Sequence, residues 1–223
     1  MAKIYRDITE LAEGAREACK EHINACLRAG LDIFITETYR SQERQNELYQ
    51  QGRSKPGKIV TNTRHSNHTA RRAWDISFRS TGFTELSKFY TAGRIAGLLD
   101  IDWGGKWKSN KDNPHFEYKG VRYMLPTAFK QAETLSEAAA AAGIITEPAI
   151  WYNYMTGITE IKRANVIALF KRIAPGVTIP ELAAAAQNAG YITCLEYWVD
   201  VMTGARICSP GNLRALFAKV TGL

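Results

Sequence analysis

Residues Ser66 to Phe78 read SNHTARRAWDISF, and two patterns overlap in them. The last six residues, Ala73–Phe78, alternate as a strand does. Trp74, Ile76 and Phe78 fall on one face, and Ala73, Asp75 and Ser77 on the other. A carboxylate placed between Trp74 and Ile76 needs a partner if its face is covered, and a metal ion is one such partner. A second short strand, His115–Tyr118, alternates in the same way, with His115 and Glu117 together and Phe116 and Tyr118 together. His68, Asp75 and His115 then offer two imidazoles and one carboxylate with a fourth position open, which is the pattern of a water-activating Zn2+ site. Asp112, three residues before His115, is near enough to take a proton from that water. The competing reading is a set of hydrogen-bonded loop histidines. His65 rivals His68 as first ligand, and His22 reads as an ordinary helix residue.

Outward from this stretch the pattern mixes helices and strands. Apolar residues from Ile8 to Leu27 keep helical periodicity and place Cys19 and Cys26 on a buried stripe, with Gly30 as the stop. Leu31–Glu37 reads as a strand, Ser41–Gln51 as a short helix, and 53–63 as a basic loop. A third helix is expected from Thr84 to about Leu99, and Ile101–Pro114 as a loop rich in Gly, Trp and Asn.

After about residue 127 the composition shifts, and the remainder matches itself at a displacement of 47 residues. Trp151/Trp198, Met155/Met202, Gly157/Gly204, Asn165/Asn212 and Phe170/Phe217 are among more than a dozen identities in register, which read as a tandem duplication. Each copy reads as an Ala-rich helix closed by Gly143 or Gly190, a second around the Trp, and a third, Val166–Ile173 or Leu213–Val220. The paired Trp is either a core residue or a ligand-facing aromatic of a carbohydrate or wall-binding module.

The net charge of +7 lies in the first part, where residues 1–130 hold 22 Lys+Arg against 15 Asp+Glu while 131–223 hold seven of each. A basic half suits a polyanion, nucleic acid or cell wall, or serves solubility alone. No stretch is long and apolar enough for a membrane span, and the N-terminus has no apolar signal core, which argues against stable membrane association. Four cysteines at 19, 26, 194 and 208 form no metal or disulfide framework and read as reduced thiols of a protein made in a cytosol.

Tyr39-Arg40-Ser41, Gln45, Leu48-Tyr49, Gly52-Arg53, Pro56-Gly57 and Val60-Thr61-Asn62 precede the central stretch, and Trp103-Gly104-Gly105, Trp107 and Asp112–Glu117 follow it. In this order, over about residues 36–118, they resemble the zinc L-alanyl-D-glutamate peptidases of bacteriophage endolysins, among the D-Ala-D-Ala carboxypeptidase-like metallopeptidases. The seven-residue interval to Asp75 matches that family from His68 and not from His65.

The resemblance implies an α+β zinc peptidase domain with a small antiparallel sheet over 1–127, cutting the L-Ala–D-Glu bond of peptidoglycan stems. An all-α tandem-repeat domain follows over 131–223, with repeats at about 133–176 and 180–223, read as a wall anchor. It implies His68, Asp75 and His115 as ligands of Zn2+, Asp112 as general base, and Arg40 as the charge-neutralising catalytic residue. Ser66 and Gln45 are implied to position substrate or the loop that carries His68, and Trp103 to bind substrate. The partner would be peptidoglycan of a Gram-positive-type host and not nucleic acid, with the protein held in the host cytoplasm until lysis. The alternatives are a D-Ala-D-Ala carboxypeptidase or dipeptidase with the same site, or a non-catalytic basic protein binding wall or nucleic acid. Arg71 stands where the family has Gly, so a different loop or extra contacts to an acidic substrate are expected there. Lys106 stands where an acid is common.

Overall fold

The computed structural model describes residues 2–223. The chain forms two compact units, one running through Leu125 and the other Pro126–Leu223, so the boundary falls just before the expected residue 127.

The first unit contains α1 (Glu13–Arg28), β1 (Ile33–Glu37), α2 (Gln42–Gln50), β2 (Ala73–Phe78), α3 (Leu86–Leu98), β3 (Asp102–Trp103) and β4 (His115–Glu117). Its strands form one antiparallel sheet in the order β1-β2-β4-β3. Small side chains on α1 (Ala15, Ala18, Cys19, Ala25) and α3 (Ala92, Ala96) are buried with Ile95 of α3 and with Trp74, Ile76, Phe78 and Phe116 of the sheet. Small residues let helix backbones approach closely, so this core is filled chiefly by the sheet's large rings.

Two expectations change here. The apolar periodicity from Ile8 does not make one helix: a 3₁₀ turn covers Ile8–Glu10 and Ala12 is extended. The Asp7 carboxylate accepts the Thr9 N–H at 2.9 Å, and the Ala12 N–H goes to the Arg71 carbonyl at 2.9 Å. Those bonds hold the early residues in a separate turn. The Ile101–Pro114 segment is also not all loop, since Asp102 and Trp103 pair with Glu117 and Phe116.

Register then does the positioning. Asp75 lies directly across from His115, and Glu37 pairs with Asp75 beyond an irregularity between Ile35 and Glu37. Glu37, Asp75 and His115 thus form one rung across three strands. Cross-strand partners lie about 5 Å apart, so the sheet itself brings the acid and the imidazole together.

His22 is fully buried, with Nε2 3.1 Å from the Ala92 carbonyl and Nδ1 accepting the Trp74 indole N–H at 3.4 Å. Burial lowers its pKa to about 4. The unfolded chain takes up that proton near pH 6.5, so the stability is complete above pH 6.5 and is lost as pH falls towards 4, about 3 kcal/mol in all. Urea unfolding of wild type should weaken over this window more steeply than that of His22→Gln. Equal slopes would remove His22 from the pH dependence.

The second unit is helical: α4 (Thr127–Ala141), α5 (Pro148–Thr156), α6 (Arg163–Ile173), α7 (Ile179–Asn188), α8 (Leu195–Thr203) and α9 (Pro210–Thr221). The limits of α5 and α8, the starts of α6 and α9 and the ends of α4 and α7 each differ by 47 residues. Gly157 and Gly204 close α5 and α8 in the left-handed region, at φ 79° and 90°, which glycine adopts without strain.

The two halves interlock: α4 packs on α5 and α9, while α7 packs on α8 and α6. Trp151 meets Phe217 at 5.2 Å between ring centroids and 44°, and Phe170 meets Trp198 at 5.2 Å and 46°. Each half therefore caps the other's tryptophan, and both indoles belong to one core. Among the described residues no helix is long and apolar enough to cross a membrane, and the four cysteines are unpaired.

Candidate metal centre

Three atoms converge at the sheet rung. His68 Nε2 lies 3.2 Å from Asp75 Oδ1 and 3.1 Å from His115 Nδ1, and His115 Nδ1 lies 3.3 Å from Asp75 Oδ1. The outer ring nitrogens are both engaged. His68 Nδ1 is 2.6 Å from the Thr38 carbonyl, which can only accept, so Nδ1 carries the proton. His115 Nε2 donates to the Glu117 carboxylate at 3.0 Å. Asn67 Nδ2 at 2.6 Å and Lys119 Nζ at 2.7 Å hold that carboxylate in turn.

These bonds turn a lone pair of each imidazole towards the other and towards a carboxylate. Three converging lone pairs repel unless a cation stands among them. A tetrahedral ion with N and O ligands at ~2.0–2.1 Å separates those ligands by about 3.3 Å. The observed triangle fits such an ion with a fourth position open. Among the described residues this is the group of His, Cys, Asp and Glu able to hold a metal.

Further bonds fix the carboxylates. Arg40 donates through Nε and Nη2 to Glu37 (3.0 and 2.6 Å), through Nη2 to Asp75 Oδ2 (3.3 Å) and through Nη1 to Gln45 Oε1 (2.9 Å). Arg44 Nε donates to the other Glu37 oxygen at 2.6 Å. Partners on ligating side chains set their orientation and basicity. Burial works against ionisation of Asp75, but His68 and His115 outweigh it and hold its pKa far below the carboxylate range. Burial likewise opposes the charged form of His115, while hydrogen bonds that its protonated ring donates to the Asp75 and Glu117 carboxylates carry its pKa up to about 9.

The trio opens into a cleft of about 480 Å³ that Arg40, Arg44, Ser66, Asp112 and Trp107 also line. Burial and the Asp75 charge raise the pKa of Asp112. Its peptide unit is gripped in a turn, with Asp112 N–H on the Gly104 carbonyl at 3.2 Å and His115 N–H on the Asp112 carbonyl at 3.3 Å. A side chain at Gly104 would meet the Asp112 carbonyl at 2.5 Å, so glycine is needed for this close approach.

Several residues expected at the site take other positions. Trp103 does not reach the cleft. It is 7% exposed, stacks with Phe116 and donates its indole N–H to the Asn113 carbonyl at 2.8 Å. It braces the Asp112–His115 turn from behind, and Trp107, 5.1 Å from the His115 ring, faces the cleft instead. Gln45 is fully buried and donates to Thr61 Oγ1 and the Thr63 carbonyl, so it tethers the loop before Ser66 and is not exposed to substrate.

Ser66 lines the cleft, and its hydroxyl accepts the His68 N–H at 3.3 Å. Arg40 lines the cleft with its guanidinium spread over three protein partners. His65 is exposed and outside the trio. Arg71 keeps the left-handed conformation at φ 60°, so the loop retains the turn a glycine would make. Its side chain is committed to Glu10, at 2.7 Å, and to the face of Tyr39, 3.9 Å from the ring centroid, and not to substrate. Lys106 is exposed, and nothing in the structure explains lysine there.

Glu37, Arg44, Trp107 and the Thr38 carbonyl carry no sequence signal of their roles, and Glu117 shows only as sharing a strand face with His115. The pairing of His115 with Glu117 two residues on was the one signal available for this shell.

The bracing by Trp103 carries a prediction. A Cβ at Gly93 would stand 2.2 Å from the Trp103 ring, so Gly93→Ala must displace the indole. Overpacking of this kind costs about 1–3 kcal/mol. The variant should melt lower and bind metal more weakly than wild type. Unchanged metal affinity would detach Trp103 from the site.

Residues 60–118, which contain all three converging side chains and Asp112, match the family model described as D-alanyl-D-alanine carboxypeptidase. This stretch of the first unit is similar to that family. The chain is 37% identical over 107 residues to the peptidoglycan L-alanyl-D-glutamate endopeptidase CwlK of Bacillus subtilis (strain 168), covering 42% of this chain and 64% of that protein. It is 26% identical over 157 residues to the L-alanyl-D-glutamate peptidase of Listeria phage A118, covering 67% of this chain and 52% of that protein. The chain thus spans between half and two thirds of the length of these curated relatives. A solved structure, the Serratia marcescens L-Ala D-Glu endopeptidase ChiX, matches at 25% identity and a TM-score of 0.38, over 53% of this chain and 90% of that one.

Proposed function

We propose that the protein is a peptidoglycan hydrolase that cuts the L-Ala–D-Glu bond of the stem peptide. The observation that carries this reading is the triangle of His68, Asp75 and His115 atoms opening on a cleft that also holds Asp112 and two arginines. The names of the two curated relatives support the bond assignment.

His68, Asp75 and His115 would hold the metal, and two nitrogens with one oxygen in tetrahedral spacing favour Zn2+. When bound, Zn2+ supplies Lewis acidity towards the scissile carbonyl and brings the ionisation of water near neutral pH. Asp112 accepts the proton of the attacking water on a carboxylate oxygen and returns it to the departing D-Glu nitrogen. Arg40 orients Asp75 and, with Arg44, presents positive charge to the carboxylate-bearing stem. Thr38 and Glu117 keep both imidazoles in the ligating tautomer. Ser66 holds the backbone of His68 at the rim.

The second unit reads as a two-repeat wall anchor, supported by the displacement of 47 residues shared by its helices. A separate anchor suits an exposed, thick, Gram-positive-type wall. Origin in a bacteriophage, with the protein kept in the host cytoplasm until lysis, belongs to the same reading and is supported by the likeness to the Listeria phage peptidase.

The test is digestion of purified peptidoglycan followed by identification of the new termini. New L-Ala carboxyl and D-Glu amino ends are expected in equal amounts. Release of free D-Ala instead would transfer the activity to the carboxypeptidase alternative.

A further inference from the structure

Two clefts on the helical unit are built from the same positions of its two halves. One, of about 120 Å³, lies between α5, α6 and the turn before α5. The other, of about 270 Å³, lies between α8, α9 and the turn before α8. All eight residues lining the smaller cleft have their counterparts 47 positions on in the wall of the larger.

The kinds of residue matter more than the count. Trp151/Trp198 and Leu169/Leu216 are buried floor residues, and packing alone explains why both halves keep them. Packing does not explain the rim. Thr146/Thr193 and Ala168/Ala215 are exposed in both halves and identical. Asn165/Asn212 supply an amide, and Arg172/Lys219 supply a cation at one position. A nearby position exposed on both helices, Ala164/Gly211, has diverged, as has the exposed cap Lys162/Ser209. Outside the clefts, the pairs exposed and identical in both halves are Ala142/Ala189 and Gly143/Gly190, where left-handed glycines end α4 and α7.

We infer that each cleft binds one carboxylate-bearing unit of peptidoglycan, so that the helical unit grips a single polymer at two equivalent sites. This rests on the reading of the first unit as a peptidoglycan hydrolase. A fixed cation beside an amide and a hydroxyl takes a carboxylate. The indole edge and the leucine below it take a small apolar group such as a methyl. The volumes admit one residue or sugar and not a longer segment. Two equal sites suit a ligand that repeats, because the second contact forms at high effective concentration. The larger cleft has Cys194 where the smaller has Glu147, so it lacks that opposing carboxylate and is the stronger anion site, while its Arg206 pairs with Asp200 at 3.6 Å.

The experiment is co-sedimentation of the full chain with purified sacculi freed of phosphate polymers by acid. Arg172→Glu, Lys219→Glu and the double variant are compared with Lys171→Glu, which makes the same charge change on α6 outside the cleft. Each single variant should bind at least about tenfold more weakly, Lys219→Glu the more so, and the double variant should stay in the supernatant. Ala168→Tyr and Ala215→Tyr fill the clefts without changing charge and should act likewise, with melting curves confirming that every variant is folded.

Sedimentation of the folded double variant as wild type, equal loss in Lys171→Glu, or binding only to sacculi that retain phosphate polymers would each overturn the inference. Cleavage of soluble stem peptide by the same preparations reports on the first unit separately. A chain that cleaves soluble peptide while its cleft variants still sediment sinks the clefts alone. A chain that sediments through the clefts but cleaves nothing sinks the hydrolase reading alone.

Discussion

Replacing His68 by alanine is expected to remove bound zinc and reduce peptide cleavage to background, while His65→Ala keeps both. The two histidines are three residues apart, yet only His68 is buried and aimed at the rung by the Thr38 carbonyl. His65 is exposed on the preceding loop. In His68→Ala two ligands remain, Asp75 and His115, one short of the three protein ligands that hold an open zinc site. Metal analysis after dialysis, with cleavage of soluble stem peptide, decides the matter. Melting adds an independent reading: zinc should raise the melting point of wild type and of His65→Ala, and leave that of His68→Ala unchanged, since an ion stabilises only a fold that binds it. Zinc retained by His68→Ala and lost from His65→Ala would reverse the assignment.

How legible this site was depends on how each residue is held. His68, Asp75 and His115 could be read because two of them sit on alternating strands and the third lies at a fixed interval from one of them. Strand alternation also gave β2 its limits, Ala73–Phe78. The orienting groups were harder to see. Thr38 acts through a backbone carbonyl, which leaves no mark in a side-chain pattern. Glu37 reaches the rung through a strand irregularity, and alternation fails at irregularities.

Trp103 misled because a tryptophan just before two glycines resembles an exposed ligand platform. Here Gly93 and Gly105 are small in order to admit its ring. Strand β3 is two residues long, too short for any periodicity. In the helical unit the displacement of 47 residues was visible, but the exchange of Trp and Phe partners between halves was not, since it is a long-range fact of packing.

Arg71 shows a further limit. A glycine position occupied by arginine suggested either a changed loop or a substrate contact. The backbone kept its left-handed turn at φ 60°, and the side chain took Glu10 and Tyr39 as partners. Strain at a non-glycine residue of this kind costs about 1–3 kcal/mol. The ion pair is partly exposed and contributes little alone, so the stacking on Tyr39 and the bonds to the Glu10 segment together offset it.

Asp112→Asn is expected to slow cleavage by about 10²–10⁴-fold while leaving zinc content at the wild-type level. Asparagine keeps the size of the side chain and can sit in the same turn, whose bonds are made by the backbone. It cannot take up a proton at the carboxylate position. The pH profile separates this role from a structural one. Without metal, burial and the Asp75 charge raise the pKa of Asp112, and the nearby positive charges of His115, His68 and Arg40 oppose that rise. A cation at the trio opposes it further, so loading with metal should lower the pH at which Asp112 ionises. The base works only when deprotonated, so wild-type cleavage falls as pH drops through that pKa. Asp112→Asn should lack that acid limb and run at one low rate across it. A variant that keeps the limb, or that cleaves within a few fold of wild type, assigns the proton transfer to another group. Loss of zinc from Asp112→Asn would make Asp112 a ligand or its support, and not the base.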